Sequence, residues 1–488
     1  MSLFVPEQIP AQDFSWTDHV DVLVAGFGIA GGCAAVEAAQ QGARVLVLER
    51  ASAAGGTSAL AGGHFYLGGG TPVQQAGGHV DSPDNMAAYL TSVSKAADPE
   101  MIRAYCQGSV EHFRWLESLG FEFERSYYPH KAVIQPGTEG LMYTGNELVW
   151  PHREDALAAP RGHKVPVPGE TGGAAMVIDL LLDRAIQLGV EIRYETGISG
   201  LVVEDGHVVG ATWKHFGQTG AVRAKSVVLA TGGFIMNQQM LEHYVPQLAD
   251  RVFALGSSYD DGAGITIGQS AGAATKHMDQ AFITAPIYPP ARLVTGVIVN
   301  NNGDRFVAED SYHARTSAFT LEQPQAAGYL IVDSRHVELP PLPLIQFIDG
   351  WEDISDMETA LGIPAGRLNA TLDRYNKNAL RGEDPDFHKA STYVEPQDQG
   401  PWAAFDLSLG KALYSGFTLG GLAISINGEV LREDNSAIPG LFAAGACAST
   451  LAQDAKGYSS GTQLGAGSFF GRRAGRTAAA AMRKVAQP

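Results

Sequence analysis

The apolar residues near the start of the chain follow two alternating patterns. Residues 20–25 form a short apolar run that ends at a glycine, which predicts a buried strand of a parallel sheet. Residues 26–42 carry small side chains at helical spacing, and residues 43–48 form a second apolar run. Together these segments predict a β-α-β unit of about 30 residues.

The same two patterns continue through much of the chain. Helical spacing covers residues 84–95, 99–119, 173–188, 260–271 and 465–483. Strand patterns cover residues 190–195, 199–204, 207–216, 226–230 and 440–445. Residues 55–70 are rich in glycine and show no period, so we expect a loop there.

From residue 281 to residue 404 the alternation of strands and helices is lost. Prolines and aromatic residues are frequent in this segment. A chain of 488 residues also exceeds the size at which a single hydrophobic core is usual. We therefore predict an α/β domain made of residues 1–280 and 405–488, with a cap domain made of residues 281–404 inserted into it.

The composition argues against several classes of partner and site. A net charge of −18 and the lack of any run rich in Lys or Arg argue against binding of nucleic acid. The cysteines Cys33, Cys106 and Cys447 are too few and too scattered for a disulfide framework or a zinc site, so we expect no metal. The first residues lack the pattern of a signal peptide, and no run of about 18 apolar residues follows. We expect a cytoplasmic protein without stable membrane insertion.

The strongest motif lies in the predicted β-α-β unit. Gly26, Gly28 and Gly31 have the spacing G-x-G-x-x-G between strand and helix, and Glu49 ends the second strand. This is the complete fingerprint of a dinucleotide-binding site. Gly26 would make the turn, Gly28 would let the backbone approach a pyrophosphate, and Gly31 would let the helix pack on the strand. Glu49 would bind the hydroxyls of the adenosine ribose.

Further glycine-rich turns indicate that the dinucleotide is FAD. Gly55-Gly56-Thr57-Ser58 and Gly62-Gly63 follow soon after Glu49, where flavoproteins bring backbone amides and hydroxyls to a long cofactor. Two more segments are typical of places where the backbone comes close to the cofactor: Ala230-Thr231-Gly232-Gly233 and Leu441–Gly445. Four approaches in this order favour FAD over NAD. The predicted fold is thus α/β, with a Rossmann-like FAD-binding domain of the glutathione-reductase type and an inserted α+β cap.

Over nearly its whole length the chain resembles the fumarate reductase and succinate dehydrogenase flavoprotein superfamily. The resemblance rests on Asp261-Gly262 before a helix, on the turn Gly303-Asp304-Arg305-Phe306, and on residues 464–471. It implies that the last helix points its N-terminus at the pyrimidine ring of the flavin, and that the cap closes over flavin and substrate. It also implies noncovalent FAD, because the superfamily's covalent link uses a histidine and His64 lies in a different sequence context.

The glycine motifs and the resemblance together give a set of expected FAD contacts. Many of these residues are small, so their backbone amides can approach a phosphate or a ring closely. The expected contacts are Gly26, Gly28, Ile29, Ala30, Gly31, Glu49, Arg50, Gly55, Gly56, Thr57, Ser58, Gly62, Gly63, Ile198, Ala230, Thr231, Gly232, Asp261, Gly262, Gly445, Ala446, Gly465 and Ser468.

The chain departs from the fumarate reductases at positions that bear on the substrate. In those enzymes an arginine after the Arg-Phe turn donates a proton. Here the corresponding position holds His313, with Tyr312 before it and Arg315 two residues out of register. Ala446 stands where those enzymes carry a glutamate. These differences argue against a dicarboxylate substrate.

The segment Lys456–Gly461 instead resembles the 3-ketosteroid dehydrogenases, in particular the type that acts on 5α-steroids to form the 4-ene. The resemblance implies that Tyr458 and the backbone amide of Gly461 hold the 3-keto oxygen of the steroid. It implies that Ser460 is the base and that Tyr312 in the cap relays the proton. The 1-ene-forming relatives have a Tyr-Pro-Gly-type sequence at this place.

The implied reaction is the dehydrogenation of a 3-oxo-5α-steroid to the 3-oxo-4-ene steroid. A proton leaves carbon 4 and a hydride passes from carbon 5 to nitrogen 5 of the flavin. Donors at the keto oxygen stabilise the negative charge that develops there. The electrons would then pass to an acceptor that the sequence does not identify.

Several alternatives stay open at this point. Tyr312 could abstract the proton itself, with Ser460 orienting it, because a serine hydroxyl is a weak base without help. Tyr312 could also be a packed aromatic of the cap, and Tyr458 and Ser460 could lie on a solvent-facing loop. At the level of function, the alternatives are a 3-ketosteroid 1-dehydrogenase, a fumarate-reductase-like reductase of an unsaturated acid, and a flavin-binding sensor without turnover.

Overall fold

The computed structural model describes residues 5–7, 9–10, 15–94, 98–133, 135–169, 171–246, 248–451 and 454–484. Its strands are β1 (Ile9–Pro10), β2 (Asp18–Ala25), β3 (Val45–Leu48), β4 (His64–Tyr66), β5 (Leu141–Met142), β6 (Gly162–Lys164), β7 (Glu191–Arg193), β8 (Gly197–Glu204), β9 (His207–His215), β10 (Gln218–Leu229), β11 (Phe253–Ala254), β12 (Thr275–Lys276), β13 (Ala281–Thr284), β14 (Val297–Val299), β15 (Tyr329–Val332), β16 (Gln346–Trp351), β17 (Trp402–Asp406), β18 (Ser415–Thr418), β19 (Gly421–Leu422), β20 (Glu429–Leu431) and β21 (Ala437–Ala443). Its α-helices are α1 (Ile29–Gln40), α2 (Pro72–Ala76), α3 (Pro83–Val93), α4 (Pro99–Ser118), α5 (His152–Asp155), α6 (Gly173–Gln187), α7 (Gln238–Tyr244), α8 (Ala263–Ser270), α9 (His313–Leu321), α10 (Ile354–Leu361), α11 (Arg367–Ala379) and α12 (Thr462–Lys484).

The largest sheet is built around the predicted β-α-β unit. Its order is β1-β8-β9-β10-β2-β3-β7, with β21 beside β10 and β20 beside β21. Strands β21, β10, β2, β3 and β7 run parallel to one another, whereas β8, β9 and β10 form an antiparallel meander. Helix α1 connects the parallel neighbours β2 and β3. The predicted α/β class and the predicted β-α-β unit are therefore confirmed.

The C-terminal helix begins earlier than the sequence pattern indicates. Helix α12 starts at Thr462, whereas helical spacing predicted a start at residue 465. Gly461 precedes the helix with a φ of +93°, a conformation that glycine adopts without steric cost. The first backbone amides of α12 therefore follow the predicted catalytic segment directly, and these amides lack partners within the helix.

Helices α1 and α12 pack in the same direction, with the first turn of α1 against the second and third turns of α12. A Cβ atom at Gly471 would lie 2.3 Å from the carbonyl oxygen of Ala30. A Cβ atom at Gly467 would lie 3.2 Å from the side chain of Ile29. Only glycine at residue 471 permits this approach, because any Cβ there would collide with backbone. The packing places residues 467–471 of α12 beside the predicted pyrophosphate-binding turn.

Residues 297–406 contain a second sheet with its own hydrophobic core. Its order is β14-β15-β17-β16, with antiparallel pairing throughout. The buried core of this unit includes Val297, Ile331, Met357, Leu368, Leu372 and Ala404. A smaller sheet, β11-β18-β13, pairs strands from both sides of the boundaries predicted at residues 280 and 405. The exact boundaries of the cap stay a prediction.

A third sheet lies beside the segment that precedes α12. Its order is β4-β6-β5, with antiparallel pairing. Strand β4 falls within residues 55–70, where the glycine-rich sequence predicted only a loop. The backbone N–H of Tyr66 donates to the carbonyl oxygen of Gly461 at 3.0 Å. This contact ties the sheet to the start of α12.

Two kinds of feature are absent from the described part of the chain. None of the helices there is long and apolar enough to cross a membrane. No group of three His, Cys, Asp or Glu side chains among the described residues is arranged to hold a metal ion. The three cysteines are buried and form no disulfide.

Candidate active site

The glycines of the predicted fingerprint serve different structural purposes. Gly26 has a φ of +95°, and a Cβ atom there would lie 2.5 Å from the carbonyl oxygen of Ala230. A Cβ atom at Gly31 would lie 2.0 Å from the carbonyl oxygen of Gly26. Gly28 has an ordinary φ of −87°, and its nearest neighbour would be the hydroxyl oxygen of Ser58 at 3.1 Å. Packing within the protein therefore requires Gly26 and Gly31, whereas the backbone at Gly28 is accessible to a ligand.

Glu49 is buried directly after β3, where the backbone holds its carboxylate. The carboxylate accepts hydrogen bonds from the amides of Phe27 at 2.7 Å and Ala51 at 2.8 Å. Burial nevertheless raises the pKa of Glu49 above its usual value. A buried carboxylate in this state gains from further hydrogen-bond donors, and the hydroxyls of an adenosine ribose are such donors.

The glycine-rich segment after Glu49 is connected to α1 and to the loop before α8. The hydroxyl oxygen of Ser58 accepts a hydrogen bond from the amide of Ile29 at 3.1 Å. The hydroxyl of Thr57 donates to the carboxylate of Asp260. Burial raises the pKa of Asp260 to about 6. These contacts hold the segment against the start of α1.

Predicted FAD contacts follow the carboxyl ends of four parallel strands. Gly26 comes directly after β2, Glu49 after β3 and Ala230 after β10, and Gly445 follows closely after β21. Because these ends lie at one edge of the sheet, the residues come together there. A Cβ atom at Gly445 would lie only 2.8 Å from the Cβ atom of Ala30.

Other members of the predicted set take part in contacts within the protein. Arg50 and Asp261 form an ion pair with an N–O distance of 2.5 Å. The hydroxyl of Ser468 donates to the carbonyl oxygen of Gly465 at 2.9 Å and contacts the ring of His112 at 2.8 Å. Positive φ values are found at Gly55, Gly56, Gly63, Gly232, Gly262 and Gly445. The hydroxyl of Ser468 thus has two partners within the protein.

The arrangement at this sheet edge fits FAD. The first turn of α1 has amides without partners in the helix, and a helix N-terminus favours a phosphate. The open position at Gly28 lets a pyrophosphate reach those amides. Glu49 lies at the end of the neighbouring strand, with a carboxylate suited to ribose hydroxyls. The sheet edge therefore offers the groups that an anion site and a ribose site require.

Tyr312 and Ser460 come together although they are distant in the chain. Tyr312 immediately precedes α9, and Ser460 lies two residues before α12. Their hydroxyl oxygens share a hydrogen bond of 2.7 Å. The Tyr312 side chain is buried. The structure thus places the predicted base and the predicted relay in direct contact.

The backbone around Ser460 is held in one orientation. The amide of Ser460 donates to the carbonyl oxygen of Thr144 at 2.8 Å. The hydroxyl of Thr144 donates back to the carbonyl oxygen of Ser460 at 2.9 Å. The carbonyl oxygen of Gly461 accepts hydrogen bonds from the amides of Tyr66 at 3.0 Å and Gly465 at 2.8 Å. These contacts fix the approach of the chain to α12.

Tyr458 is buried among aromatic rings of the sheet β11-β18-β13. Its ring centroid lies 4.7 Å from that of Phe282 and 5.5 Å from that of Phe417. Burial raises the pKa of the Tyr458 hydroxyl, and the backbone amide of Gln463 in the first turn of α12 partly opposes this rise. With only 5% of its surface exposed, Tyr458 does not lie on a solvent-facing loop, and that alternative is wrong.

His313 and Arg315 do not form a carboxylate-binding site. The ring of His313 lies 4.0 Å from that of Tyr312, and its Nδ1 shares a hydrogen bond of 2.6 Å with the Thr284 hydroxyl. Burial lowers the pKa of His313 to about 3, so its ring is neutral at physiological pH. The guanidinium of Arg315 is bonded to His152 at 3.0 Å. His313 thus lacks the charge that an arginine would carry, and Arg315 is engaged elsewhere.

No sequence pattern pointed to Thr144 or Gln463. Thr144 lies between β5 and α5, in a stretch without periodic pattern, and its link to Ser460 exists only in the folded chain. Gln463 affects the pKa of Tyr458 through its backbone amide, which nearly every residue type provides, so its side chain carries no signal. A correct prediction of where α12 starts would have pointed to this amide, because the first amides of a helix lack partners within the helix.

Comparison with known proteins agrees with this geometry. Residues 21–468 match the FAD binding domain family. The crystal structure of 3-ketosteroid-delta4-(5alpha)-dehydrogenase from Rhodococcus jostii RHA1, in complex with 4-androstene-3,17-dione, is 41% identical to this chain with a TM-score of 0.91, covering 97% of this chain and 100% of that chain.

More distant relatives include both dehydrogenases and reductases. The 3-oxo-5-alpha-steroid 4-dehydrogenase of Comamonas testosteroni is 28% identical over 89% of this chain and 94% of its own. The urocanate reductase of Eggerthella lenta is also 28% identical, over 97% of this chain and 76% of its own. The chain therefore belongs to the FAD binding domain family of flavoproteins, and within it to the group that contains the Rhodococcus ketosteroid dehydrogenase.

Proposed function

We propose that this chain is an FAD-dependent dehydrogenase that converts 3-oxo-5α-steroids to 3-oxo-4-ene steroids. The observation that carries the proposal is the buried hydrogen bond between Tyr312 and Ser460, next to a segment that also provides Tyr458. It is supported by the 41% identical dehydrogenase, whose bound 4-androstene-3,17-dione is a 3-oxo-4-ene steroid.

The keto oxygen of the steroid would be held at the start of α12. The Tyr458 hydroxyl would donate its proton to the keto oxygen, as a neutral phenol can. The raised pKa keeps that proton in place at neutral pH. The amide of Gly461 is the second donor that we assign to this oxygen. One such donor contributes roughly 3 kcal/mol as charge develops in the transition state.

Proton removal from carbon 4 is assigned to the hydrogen-bonded pair of Ser460 and Tyr312. Ser460 would take the proton while its own hydroxyl proton passes to Tyr312 and the hydroxyl proton of Tyr312 passes on toward solvent, since a serine alone is a weak base. Thr144 holds the backbone of Ser460 from both sides, which limits its movement. A fixed base and a fixed keto site favour one orientation of a rigid steroid.

The expected FAD site lies where the carboxyl ends of the parallel strands meet the starts of α1 and α12. The backbone at Gly28 and the first turn of α1 would hold its pyrophosphate, and Glu49 would hold its ribose. FAD, when bound, supplies the two-electron oxidation that accompanies loss of the proton. We further propose that the cofactor is held without a covalent bond.

The rival function, reduction of an unsaturated acid, has relatives among the similar proteins, including the urocanate reductase. Such a reaction needs a positive charge for the carboxylate and a strong proton donor. His313 is neutral and Arg315 is bonded to His152. The chemistry at these positions favours the steroid reaction.

Anaerobic mixing with 5α-androstane-3,17-dione tests the proposed function. The flavin absorbance near about 450 nm should bleach, and mass spectrometry and chromatography should identify the product as 4-androstene-3,17-dione. Succinate at the same concentration should leave the absorbance unchanged. Bleaching by succinate alone would overturn the proposal, and a 1-ene product would assign the chain to the 1-dehydrogenases instead.

Precipitation with acid should release all of the FAD into the supernatant. His64 in β4 is buried, with a pKa that burial lowers to about 3. It is paired through its backbone with Lys164, which keeps it in the sheet β4-β6-β5. The absorbance of the supernatant and of the redissolved pellet gives the share of FAD in each fraction. Yellow colour that stays with the pellet after washing would show a covalent bond and contradict this expectation.

A further inference from the structure

The residues Thr144–Glu147, here called the strap, cross between the cap and the segment that precedes α12. The strap lies between β5 and α5. It contacts Tyr312 on the cap side and both Lys456 and Ser460 on the other. The two partners of the proposed proton transfer are thus both connected to one short piece of chain.

Asn146 makes the connection with its side-chain amide. Its Oδ1 atom accepts a hydrogen bond from the backbone N–H of Tyr312 at 2.9 Å. Its Nδ2 atom donates to the carbonyl oxygen of Lys456 at 3.2 Å. The Asn146 side chain is fully buried, so water does not compete for these contacts. The amide therefore bridges the cap and the catalytic segment directly.

Further hydrogen bonds and close packing hold the strap in place. The amide of Asn146 donates to the hydroxyl oxygen of Tyr89 at 2.8 Å. The carboxylate of Glu147 accepts hydrogen bonds from the Tyr66 hydroxyl at 3.0 Å and from the amide of Gly145 at 2.9 Å. A Cβ atom at Gly145 would lie 2.1 Å from the hydroxyl oxygen of Ser459, so the strap also packs tightly against the catalytic segment.

We propose that Asn146 is a positioning residue that sets the distance between Tyr312 and Ser460. The inference rests on the proposed function of that pair. Asn146 touches neither hydroxyl; it fixes the backbone of Tyr312 relative to the chain that leads to Ser460. Without the bridge, the backbone of Tyr312 loses its direct link to the segment before α12, and the hydrogen bond of 2.7 Å lengthens. Proton transfer is steeply sensitive to such a shift, whereas binding of the steroid is not.

The first test is Asn146→Ala in the FAD-bound enzyme, with 5α-androstane-3,17-dione as the substrate. The rate of flavin reduction at saturating steroid should fall by roughly 10- to 100-fold, while KM and the FAD content change little. With substrate deuterated at carbon 4, the isotope effect on that rate should rise, because proton removal becomes more fully rate-limiting. A general destabilisation of the fold would not slow proton removal selectively and would not raise the isotope effect.

Asn376→Ala is the matched control. The side-chain amide of Asn376 also bridges two backbone groups: it donates to the carbonyl oxygen of Gln397 at 3.0 Å and accepts from its amide at 2.7 Å. Both groups lie within the cap and away from the proposed proton transfer. The control should keep the wild-type rate of flavin reduction and the wild-type isotope effect.

Asn146→Asp tests the bridge because the new carboxyl group can complete it only when it is protonated. A carboxyl keeps the acceptor for the amide of Tyr312, but only its protonated form can donate to the carbonyl oxygen of Lys456. The rate of this variant divided by that of the wild type should therefore rise as the pH falls from about 9 to about 6, since burial raises the pKa of such a carboxyl. A ratio that is constant with pH would contradict the bridging role.

The double variant Asn146→Ala with Ser460→Ala separates positioning from a general effect. If Asn146 acts through the Tyr312–Ser460 pair, the double variant should be about as slow as Ser460→Ala alone. Losses that multiply would overturn the inference, as would a wild-type rate in Asn146→Ala. Failure of the wild-type flavin to be reduced by the steroid would instead overturn the proposed function, and with it the role of the pair.

Discussion

Replacing Tyr458 with phenylalanine should slow flavin reduction by saturating 5α-steroid roughly 100-fold, the effect of losing one donor to a developing oxyanion. The substitution removes the hydroxyl but keeps the ring, which packs against Phe282 and Phe417. The hydroxyl matters most when negative charge develops on the keto oxygen, so the rate should fall far more than the affinity. Stopped-flow absorbance gives the rate, and the spectral change of the flavin on titration with steroid gives the affinity.

Tyr414→Phe is the control for the loss of a buried hydroxyl. The Tyr414 hydroxyl donates to the carbonyl oxygen of Leu407 at 2.7 Å, and the side chain is buried to a similar extent as that of Tyr458. This variant should reduce its flavin at the wild-type rate. A wild-type rate in Tyr458→Phe itself would refute the assignment of the keto site.

Replacing Gly28 with valine should abolish retention of FAD in a protein that still folds. The backbone at Gly28 has a φ of −87° and a ψ of −168°, which valine adopts readily. The nearest obstacle to a Cβ atom is the hydroxyl oxygen of Ser58 at 3.1 Å, a side-chain atom that can move. The new methyl groups would instead occupy the space that the pyrophosphate needs beside the start of α1.

Gly32→Ala is the matched control on the same helix. A Cβ atom at Gly32 would lie 3.1 Å from the ring of Phe27 and 3.2 Å from Leu181, so the crowding is similar, but it involves the packed face of α1. The control should keep FAD. Absorbance after purification gives the FAD per chain, and circular dichroism compares each variant with wild type stripped of FAD, because bound cofactor itself adds stability. A Gly28→Val protein that keeps stoichiometric FAD would mean that the phosphate loop is misplaced.

The strand, turn and helix expected to hold the cofactor were predictable from the sequence because their requirements are visible in residue types. Gly26 and Gly31 are required by contacts with backbone, and such contacts exclude every residue with a Cβ atom. Their spacing, together with the apolar run before them and Glu49 after them, indicates one arrangement of strand, turn and helix. The observed β2, α1 and β3 agree with that prediction.

The strap and the sheet β4-β6-β5 were not predictable in the same way. Their strands are two or three residues long, too short for an alternating pattern to emerge from the surrounding glycines. Asn146 and Thr144 act through contacts with residues more than 150 positions away, and such contacts are not encoded in local sequence. Tyr458, Ser460 and Tyr312 were identified only through a family resemblance, because periodicity says nothing about chemistry.

The hydrogen bond between Tyr312 and Ser460 joins residues of the segments 281–404 and 405–488. A ligand that wedges these segments apart by about 1 Å stretches the contact from 2.7 Å beyond hydrogen-bonding range. Such a ligand can be held tightly and still not be oxidised, since the pair that takes the proton is then disassembled. Discrimination between steroids of different bulk is therefore expected in turnover number more than in affinity, and poorly fitting steroids should act as inhibitors.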